Sequence, residues 1–376
     1  MKLAIISHTE HFLDENGTPI GWGATVREIN NLVKIFSEII HIAPLHKGKA
    51  PASALGYTSN KIKFIPIEPS GGSGIGSKIK ILSAAPKNIL KVHRILEKVD
   101  YVQFRGPTNL GMYMIPYLSF RNRPKKWFKY AGNWAQENAP LSYSFQRWWL
   151  KSNFQDSIVT VNGKWPKQEQ HIISFENPCI TAEELEEANE IANNKNFDGD
   201  LTVCFVGRLD DHKGVGRILD SFKQLPDIGV NKIIFVGDGA DRKLYEERAK
   251  ALKMECLFTG GLSRYNIIDI YKESHIFCLP STASEGFPKV IAEAAAYGCV
   301  PVVSDISSIG QFIKNGNNGV LLHKTNPEYI AEAFTEILEN REHLKYLSSN
   351  VVNIAKPFTY DHYNSRIINE VLPQLK

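Results

Sequence analysis

Short apolar runs alternate with helical periodicity along almost the whole chain, and that alternation leaves few folds open to it. In the second half the runs Leu201–Val206, Lys232–Val236, Cys256–Thr259, His275–Leu279, Val300–Ser304 and Gly319–Leu322 read as strands. Helical patterns follow them at Val215–Leu225, Asp241–Leu252, Asn266–Glu273, Pro288–Tyr297, Ile309–Lys314 and Pro327–Glu339. The first half repeats the scheme, with strand-like runs at Lys2–Ser7, Ile39–Ala43, Lys61–Ile67, Tyr101–Phe104, Trp127–Ala131 and Ser157–Val161. Helices are expected near Lys78–Lys98 and Phe145–Phe154, and another carries Val26, Ile29, Leu32, Val33 and Phe36 on one face. Strand–helix alternation predicts parallel sheets covered on both faces, an α/β architecture. At 376 residues the chain exceeds one ordinary core, so two doubly wound domains are expected. The stretch from His171 to Asp200, with an acidic helix through Glu183, Glu184, Glu186, Glu187 and Glu190, reads as their connection. The expected division is 1–170 and 171–357, with a final amphipathic helix over 358–376.

Ligands of a doubly wound sheet lie at the carboxyl ends of its strands. Three loops of the second half fall there: Gly207–Gly214, Gly237–Gly239 and Pro280–Phe287. The last leads into Ser284-Glu285-Gly286-Phe287-Pro288-Lys289-Val290-Ile291-Ala292-Glu293-Ala294. Pro288 suits a first helical position and Gly298 a helix end, which would aim the N–H groups of Gly286 and Phe287 at an anion. Glu293, among alanines, is expected to be half-buried and to need a donor such as a ribose hydroxyl. Glu285 is free to face a second polyhydroxylated group. Arg208 and Lys213 add two cations at a neighbouring strand end, enough to neutralise a diphosphate without a metal. A departing nucleoside diphosphate gathers negative charge, which preplaced cations and N–H dipoles stabilise.

Composition is that of an ordinary globular protein, with 43% hydrophobic and 22% charged residues. The opening apolar run is too short for a signal peptide, and no window reads as a transmembrane span. Five cysteines without metal-ligand spacing read as reduced core residues, which points to the cytoplasm. The net charge of +4 is unevenly spread: 23 Lys and Arg stand against 11 Asp and Glu up to Gln170, and 21 against 29 beyond it. The basic half suits an anionic membrane or a phosphorylated acceptor, or is simply a solvated face; no motif speaks for nucleic acid. Aromatic and basic residues over Tyr143–Phe154, beside the cluster Arg121, Arg123, Lys125, Lys126 and Lys129, fit either an interfacial helix or a helix packed on a sheet, and the packed reading is preferred. Gly21 and Gly23 are either a backbone approach to phosphate or a plain loop. Gly71-Gly72-Ser73-Gly74-Ile75-Gly76 matches the dinucleotide fingerprint poorly and reads as a surface loop. Asp198-Gly199-Asp200 precedes a strand and reads as a turn, not a metal site.

Taken together, Phe205-Val206-Gly207-Arg208-Leu209 with Lys213-Gly214, Val236-Gly237-Asp238-Gly239, Phe258-Thr259-Gly260, Ser284-Glu285-Gly286-Phe287-Pro288 with Glu293-Ala294 and Gly298, and Pro301-Val302-Val303-Ser304 resemble the family-four retaining glycosyltransferases. The resemblance covers most of 201–322. It implies the GT-B fold, two Rossmann-like domains facing a central cleft, with the last helix crossing back to the N-terminal domain. It also implies a UDP- or GDP-linked sugar donor in the C-terminal domain, a glycan or lipid-linked saccharide acceptor in the N-terminal one, and no cofactor or metal. By resemblance Arg208 and Lys213 hold the donor diphosphate, Glu293 the ribose and Glu285 the transferred sugar, with Gly207, Gly286, Phe287 and Pro288 lining the donor site. Gly23 matches the second glycine of the family's N-terminal Gly-Gly loop, here interrupted as Gly21-Trp22-Gly23. Many members carry a histidine after the fifth strand; this chain has Ala131-Gly132-Asn133-Trp134, so Asn133 can hydrogen-bond a sugar but cannot act as a base. Asn133 and Arg105 are the acceptor-side candidates. The implied role is surface polysaccharide or glycoconjugate synthesis at the inner face of the cell membrane. The alternatives are an epimerase of the same fold, or a non-catalytic sugar-nucleotide or glycan-binding subunit.

Overall fold

The computed structural model describes residues 1–69, 75–225 and 229–375, without the side chains of 75–82. The glycines at 71, 72 and 74 lie outside the described residues. The chain divides into two compact units, Met1–Asn177 with His362–Lys376, and Pro178–Asp361.

The first unit is built on strands β1 (Lys2–Ile6), β4 (Glu38–Pro44), β6 (Ile62–Ile67), β7 (Tyr101–Gly106), β8 (Lys125–Tyr130), β9 (Ile158–Val161) and β10 (Ile172–Ser174). Three more, β2 (His11–Leu13), β3 (Pro19–Trp22) and β5 (Ala54–Gly56), form a separate antiparallel sheet. The main sheet runs β10-β9-β8-β7-β1-β4-β6 and is parallel throughout. Side chains alternate across its faces. Leu3, Ile5 and Trp127 point into one core with Ile29, Tyr363 and Ile367, while Ala4, Ile6 and Phe128 point into another with Met114 and Leu118. Both faces are thus covered, which is why the strands read as nearly continuous apolar runs.

The second unit carries β11 (Leu201–Val206), β12 (Val230–Val236), β13 (Glu255–Gly260), β14 (Ile276–Leu279), β15 (Val300–Ser304) and β16 (Val320–Leu322). Its order is β13-β12-β11-β14-β15-β16, again all parallel. The winding reverses between β11 and β14, so the switch point of a doubly wound sheet falls there. All five cysteines are free thiols.

Four local expectations need correction. The helix after the Gly-Phe turn spans Lys289–Ala296; Pro288 caps it in an extended conformation (ψ 115°) and is not its first helical residue. The C-terminal stretch is not one helix: Tyr360–Arg366 is α-helical, Ile367–Val371 a π-turn and Leu372–Gln374 a 3₁₀ turn. Pro373 lacks the N–H that would continue the α pattern. Gly21 and the residues around it form strand β3, not a loop. The Tyr143–Phe154 helix (Leu141–Lys151) is only partly packed, because Leu141 and Trp148 face outward, as does Phe154 beyond it. The acidic helix is present at Ala182–Asn193, closed at its start by a reciprocal Thr181–Glu184 capping box. The chain bends at Asp198 and Gly199, and Asp200 accepts from Asn231.

Candidate active site

The three loops at the carboxyl ends of β11, β12 and β14 are tied to one another by backbone contacts. The Leu209 amide donates to the Asp238 carbonyl (3.0 Å), and the Thr282 amide to the His212 carbonyl (2.8 Å). Two glycines allow this. Gly214 adopts φ +90°, and a Cβ there would stand 2.5 Å from the Pro280 carbonyl oxygen. Gly237 adopts φ +135°, and its Cβ would stand 1.8 Å from the Gly207 carbonyl oxygen. Any other residue would be strained in torsion and would push the loops apart.

Asp210 organises the first loop. Its carboxylate accepts from the Lys213 amide (2.9 Å) and pairs with the exposed Arg208 guanidinium. Partial burial opposes ionisation of Asp210, but those two donors outweigh it and hold its pKa below the usual carboxylate range. The turn so formed aims Lys213 across the switch point, where its Nζ meets Glu285 Oε1 at 2.5 Å. The ammonium side chain is mostly buried and the carboxylate is open to solvent. The phenyl ring of Phe287 packs between Phe358 (4.7 Å) and Phe312 (4.8 Å), which fixes the turn above the helix. The N–H groups of Gly286 and Phe287 take no part in the hydrogen bonds of the described residues. Arg208, Lys213, Glu285, Gly207, Gly286, Phe287 and Pro288 therefore all line the ends of β11 and β14 or the turn that follows.

Glu293 is more buried than the half-burial expected, and Arg264 is a donor to it in this structure: Nη1 lies 2.7 Å from Glu293 Oε1, and Nη2 3.1 Å from Glu184 Oε2. Sequence reasoning missed Arg264. It opens the helix Arg264–Glu273 behind an N-capping Ser263. A cation in a first helical turn opposes the macrodipole. That local conflict, at the end of β13, was the signal available, and the two glutamates resolve it.

The first-unit candidates are placed differently. The Gly23 amide donates to the Ser53 carbonyl (3.1 Å), so it is already used by the chain. Arg105 is buried; its Nη2 lies 2.9 Å from Glu28 Oε1 and its Nε donates to Gln103 Oε1 (2.6 Å). Glu28 also holds Lys129 Nζ (2.6 Å) and the Tyr363 hydroxyl (2.8 Å), linking the C-terminal segment to this cluster. Asn133, half-buried in the loop after β8, accepts from the Ala135 amide through Oδ1 (3.0 Å) and from Arg147 through its carbonyl (3.2 Å).

Residues 186–353 match the family model described as glycosyl transferases group 1. An uncharacterized glycosyltransferase of Haemophilus influenzae is 32% identical over 200 residues, covering 50% of this chain and 53% of its own. A second relative, from Campylobacter jejuni, is named as an α-1,4-N-acetyl-D-galactosaminyltransferase acting on a GalNAc-containing diNAcBac-PP-undecaprenol; it is 26% identical over 189 residues, 50% of each chain. The match spans about half the length of these curated relatives. Among solved structures, Anabaena Alr3699/HepE in complex with UDP superposes with a TM-score of 0.66 at 16% identity, over 98% of both chains. At that identity the likeness speaks for the fold. Residues 186–353 are thus similar to the glycosyl transferases group 1 family, and the two parallel-sheet α/β units take the GT-B fold.

Proposed function

We propose that this protein is a retaining, metal-independent glycosyltransferase that moves a sugar from a UDP- or GDP-linked donor to a hydroxyl of a glycan or lipid-linked saccharide. The observation that carries the reading is the Lys213–Glu285 pair at the switch point of the second sheet, beside the Arg208 guanidinium and the Gly286 and Phe287 N–H groups. The match of residues 186–353 to the glycosyl transferases group 1 model and the UDP-bound Anabaena structure support a nucleotide-sugar donor, and the lipid-linked substrate in the Campylobacter relative's name supports the acceptor class.

Lys213 and Arg208 neutralise the diphosphate as the anomeric C–O bond breaks and its electron pair leaves with the phosphate. The acceptor hydroxyl forms its new C–O bond on the face the phosphate vacates, and its proton passes to the departing phosphate oxygen. No side-chain base is required. Glu285, released from Lys213 as phosphate takes its place, accepts from hydroxyls of the transferred sugar. Glu293 binds the ribose, with Arg264 holding its carboxylate in position. Acceptor choice rests with the first unit, through Asn133 and its neighbours. Arg105 is held at Glu28, which makes it a structural support for that unit. The proposed setting is polysaccharide or glycoconjugate synthesis in the cytoplasm, at the inner face of the cell membrane. Among the described residues no helix is long and apolar enough to cross a membrane.

The test is nucleotide release from UDP-, GDP- and ADP-sugars in EDTA, with wild type and Glu285→Ala in parallel. Slow release from one donor, abolished in the variant, is the expected result. Release that EDTA abolishes would overturn metal independence, and no release with or without added glycan acceptors would overturn the transferase reading.

A further inference from the structure

We propose that Trp22 and Glu10, side by side on the small antiparallel sheet of the first unit, form a platform that holds a pyranose ring of the glycan acceptor. This rests on the transferase reading above and adds to it the residues that take the acceptor sugar. The Gly21-Trp22-Gly23 triplet has room for one side chain only. A Cβ at Gly21 would stand 2.4 Å from His11 Nε2, and one at Gly23 would stand 2.3 Å from the Ser53 carbonyl oxygen. Close approach therefore demands a glycine on either side of the tryptophan. Side chains alternate across a strand, so Trp22 points away from the face that His11 fills. It is 55% exposed, and its indole has no ring or hydrogen-bond partner among the described residues.

Two neighbours suit this ring to a sugar. The Trp22 amide donates to the Glu10 carbonyl (3.2 Å), which carries the β2–β3 register one pair beyond His11 and Gly21. Glu10 and Trp22 are thus cross-strand neighbours on one face. Glu10 is exposed and takes no hydrogen bond or ion pair among the described residues. On the other side Trp22 stands opposite Ala54 of β5, whose methyl group leaves the ring uncovered. A pyranose has an apolar face of C–H groups and a rim of hydroxyl donors. The indole takes the first, and the carboxylate, which only accepts, takes the second. Glu10 would repel a phosphate, and an apolar partner would bury its charge uncompensated.

The platform is fixed from behind. His11 Nδ1 donates to the Thr9 carbonyl (2.8 Å), so Nε2 of the neutral ring accepts from the Tyr57 hydroxyl (2.8 Å). That hydroxyl accepts in turn from His41 Nδ1 (2.6 Å), and His41 Nε2 accepts from Ser7 Oγ (2.7 Å). The chain of bonds ties β2 and the residue after β5 to β4 and the end of β1. Trp22 is therefore in position before a sugar arrives, and little conformational entropy is lost on binding. The β2–β3 hairpin lies between the carboxyl end of β1 and the helix Gly23–Leu32, and ligands of a doubly wound sheet gather at that end.

The experiment is saturation-transfer NMR of the full chain, without donor, against the methyl glycosides of glucose, galactose, mannose, N-acetylglucosamine and N-acetylgalactosamine. At least one is expected to receive saturation on its ring C–H protons and to shift the Trp22 indole N–H signal, identified by its loss in Trp22→Phe. Trp22→Ala and Glu10→Ala should each raise the Kd about tenfold while melting like wild type, since both side chains are exposed. Trp22→Phe should recover most of the affinity, and Ala54→Leu, which covers the ring, should weaken it about fivefold or more. No shift of Trp22 by any of the five glycosides, or wild-type affinity in either alanine variant, would overturn the platform. So would an equal shift with cyclohexanol, which has the apolar face without the rim of hydroxyls. The two readings fail separately. Nucleotide release by wild type with Trp22 unshifted would keep the transfer and remove the platform, whereas a glycoside at Trp22 with no nucleotide release would do the reverse.

Discussion

The two units handle charge in opposite ways. In the second, the pairs Lys213–Glu285 and Arg264–Glu293 stand at the carboxyl ends of strands and keep part of their surface open. In the first, Glu28, Lys129 and Arg105 are buried together and capped by Tyr363. An ion pair at a rim can exchange one partner for a ligand phosphate or hydroxyl, whereas a sealed one cannot without unfolding its surroundings. The first kind is suited to binding and the second to holding a chain end. The contrast sets a conspicuous cation, Arg105, inside a buried cluster with Glu28.

The sharpest way to break that contrast is Glu28→Gln, which removes the buried carboxylate that Arg105 and Lys129 share. We expect a loss of about 3–5 kcal/mol in urea unfolding, with faster amide exchange over Tyr360–Val371. Unchanged protection there would mean that the cluster does not hold the C-terminal segment. Lys213→Ala should do the reverse: kcat falls about a hundredfold or more with little change in melting. A large stability loss instead would place Lys213 with the structural cations. Arg264→Ala should fall between the two, because it strips a cation from two mostly buried carboxylates. A stability loss of about 2 kcal/mol is expected, with weaker discrimination between a nucleoside diphosphate and its 2′-deoxy analogue. Wild-type discrimination in the variant would separate Glu293 from the ribose.

The smallest effect at neutral pH concerns histidines. Burial holds His11 at a pKa of about 4 and His41 well below its ordinary value, both in the first unit; burial likewise holds His275, in the second, at about 4. Their stabilisation is complete above the unfolded value of about 6.5 and is lost as pH falls through the folded values, because the unfolded chain takes up the protons first. Amide exchange at pH 7 and pH 5 should therefore show the first unit, which holds His11 and His41 and in which burial lowers His8 as well, weakening more than the second. Equal weakening would contradict this.

The second unit was the more legible of the two because its signals are local. Lys213-Gly214, Gly237-Asp238-Gly239 and Glu285-Gly286-Phe287-Pro288 each follow a strong apolar strand, and the parallel topology brings strand ends together. The Arg264–Glu293 pair was not legible, since it joins residues of different helices across the sheet's end. In the first unit, β2, β3 and β5 are only three or four residues long, and β3 finds β5 across distant sequence, so no periodicity announced them. For that reason the Gly21-Trp22-Gly23 stretch reads, from sequence, as either a backbone approach to phosphate or a plain loop. The helix Gly111–Ser119 was hidden by Pro116 inside it. Which aromatics of Leu141–Lys151 face outward depends on packing against that hidden helix.

The central claim is that the loops after β11, β12 and β14 hold a nucleoside diphosphate. Calorimetric titration of UDP, GDP and ADP into the full chain, with EDTA present, tests it most directly. The account predicts that UDP or GDP binds, and that Lys213→Ala weakens it by about tenfold or more, the order expected for one charge-assisted contact. Absence of binding by all three, or binding that Lys213→Ala and Glu293→Ala both leave unchanged, would contradict it.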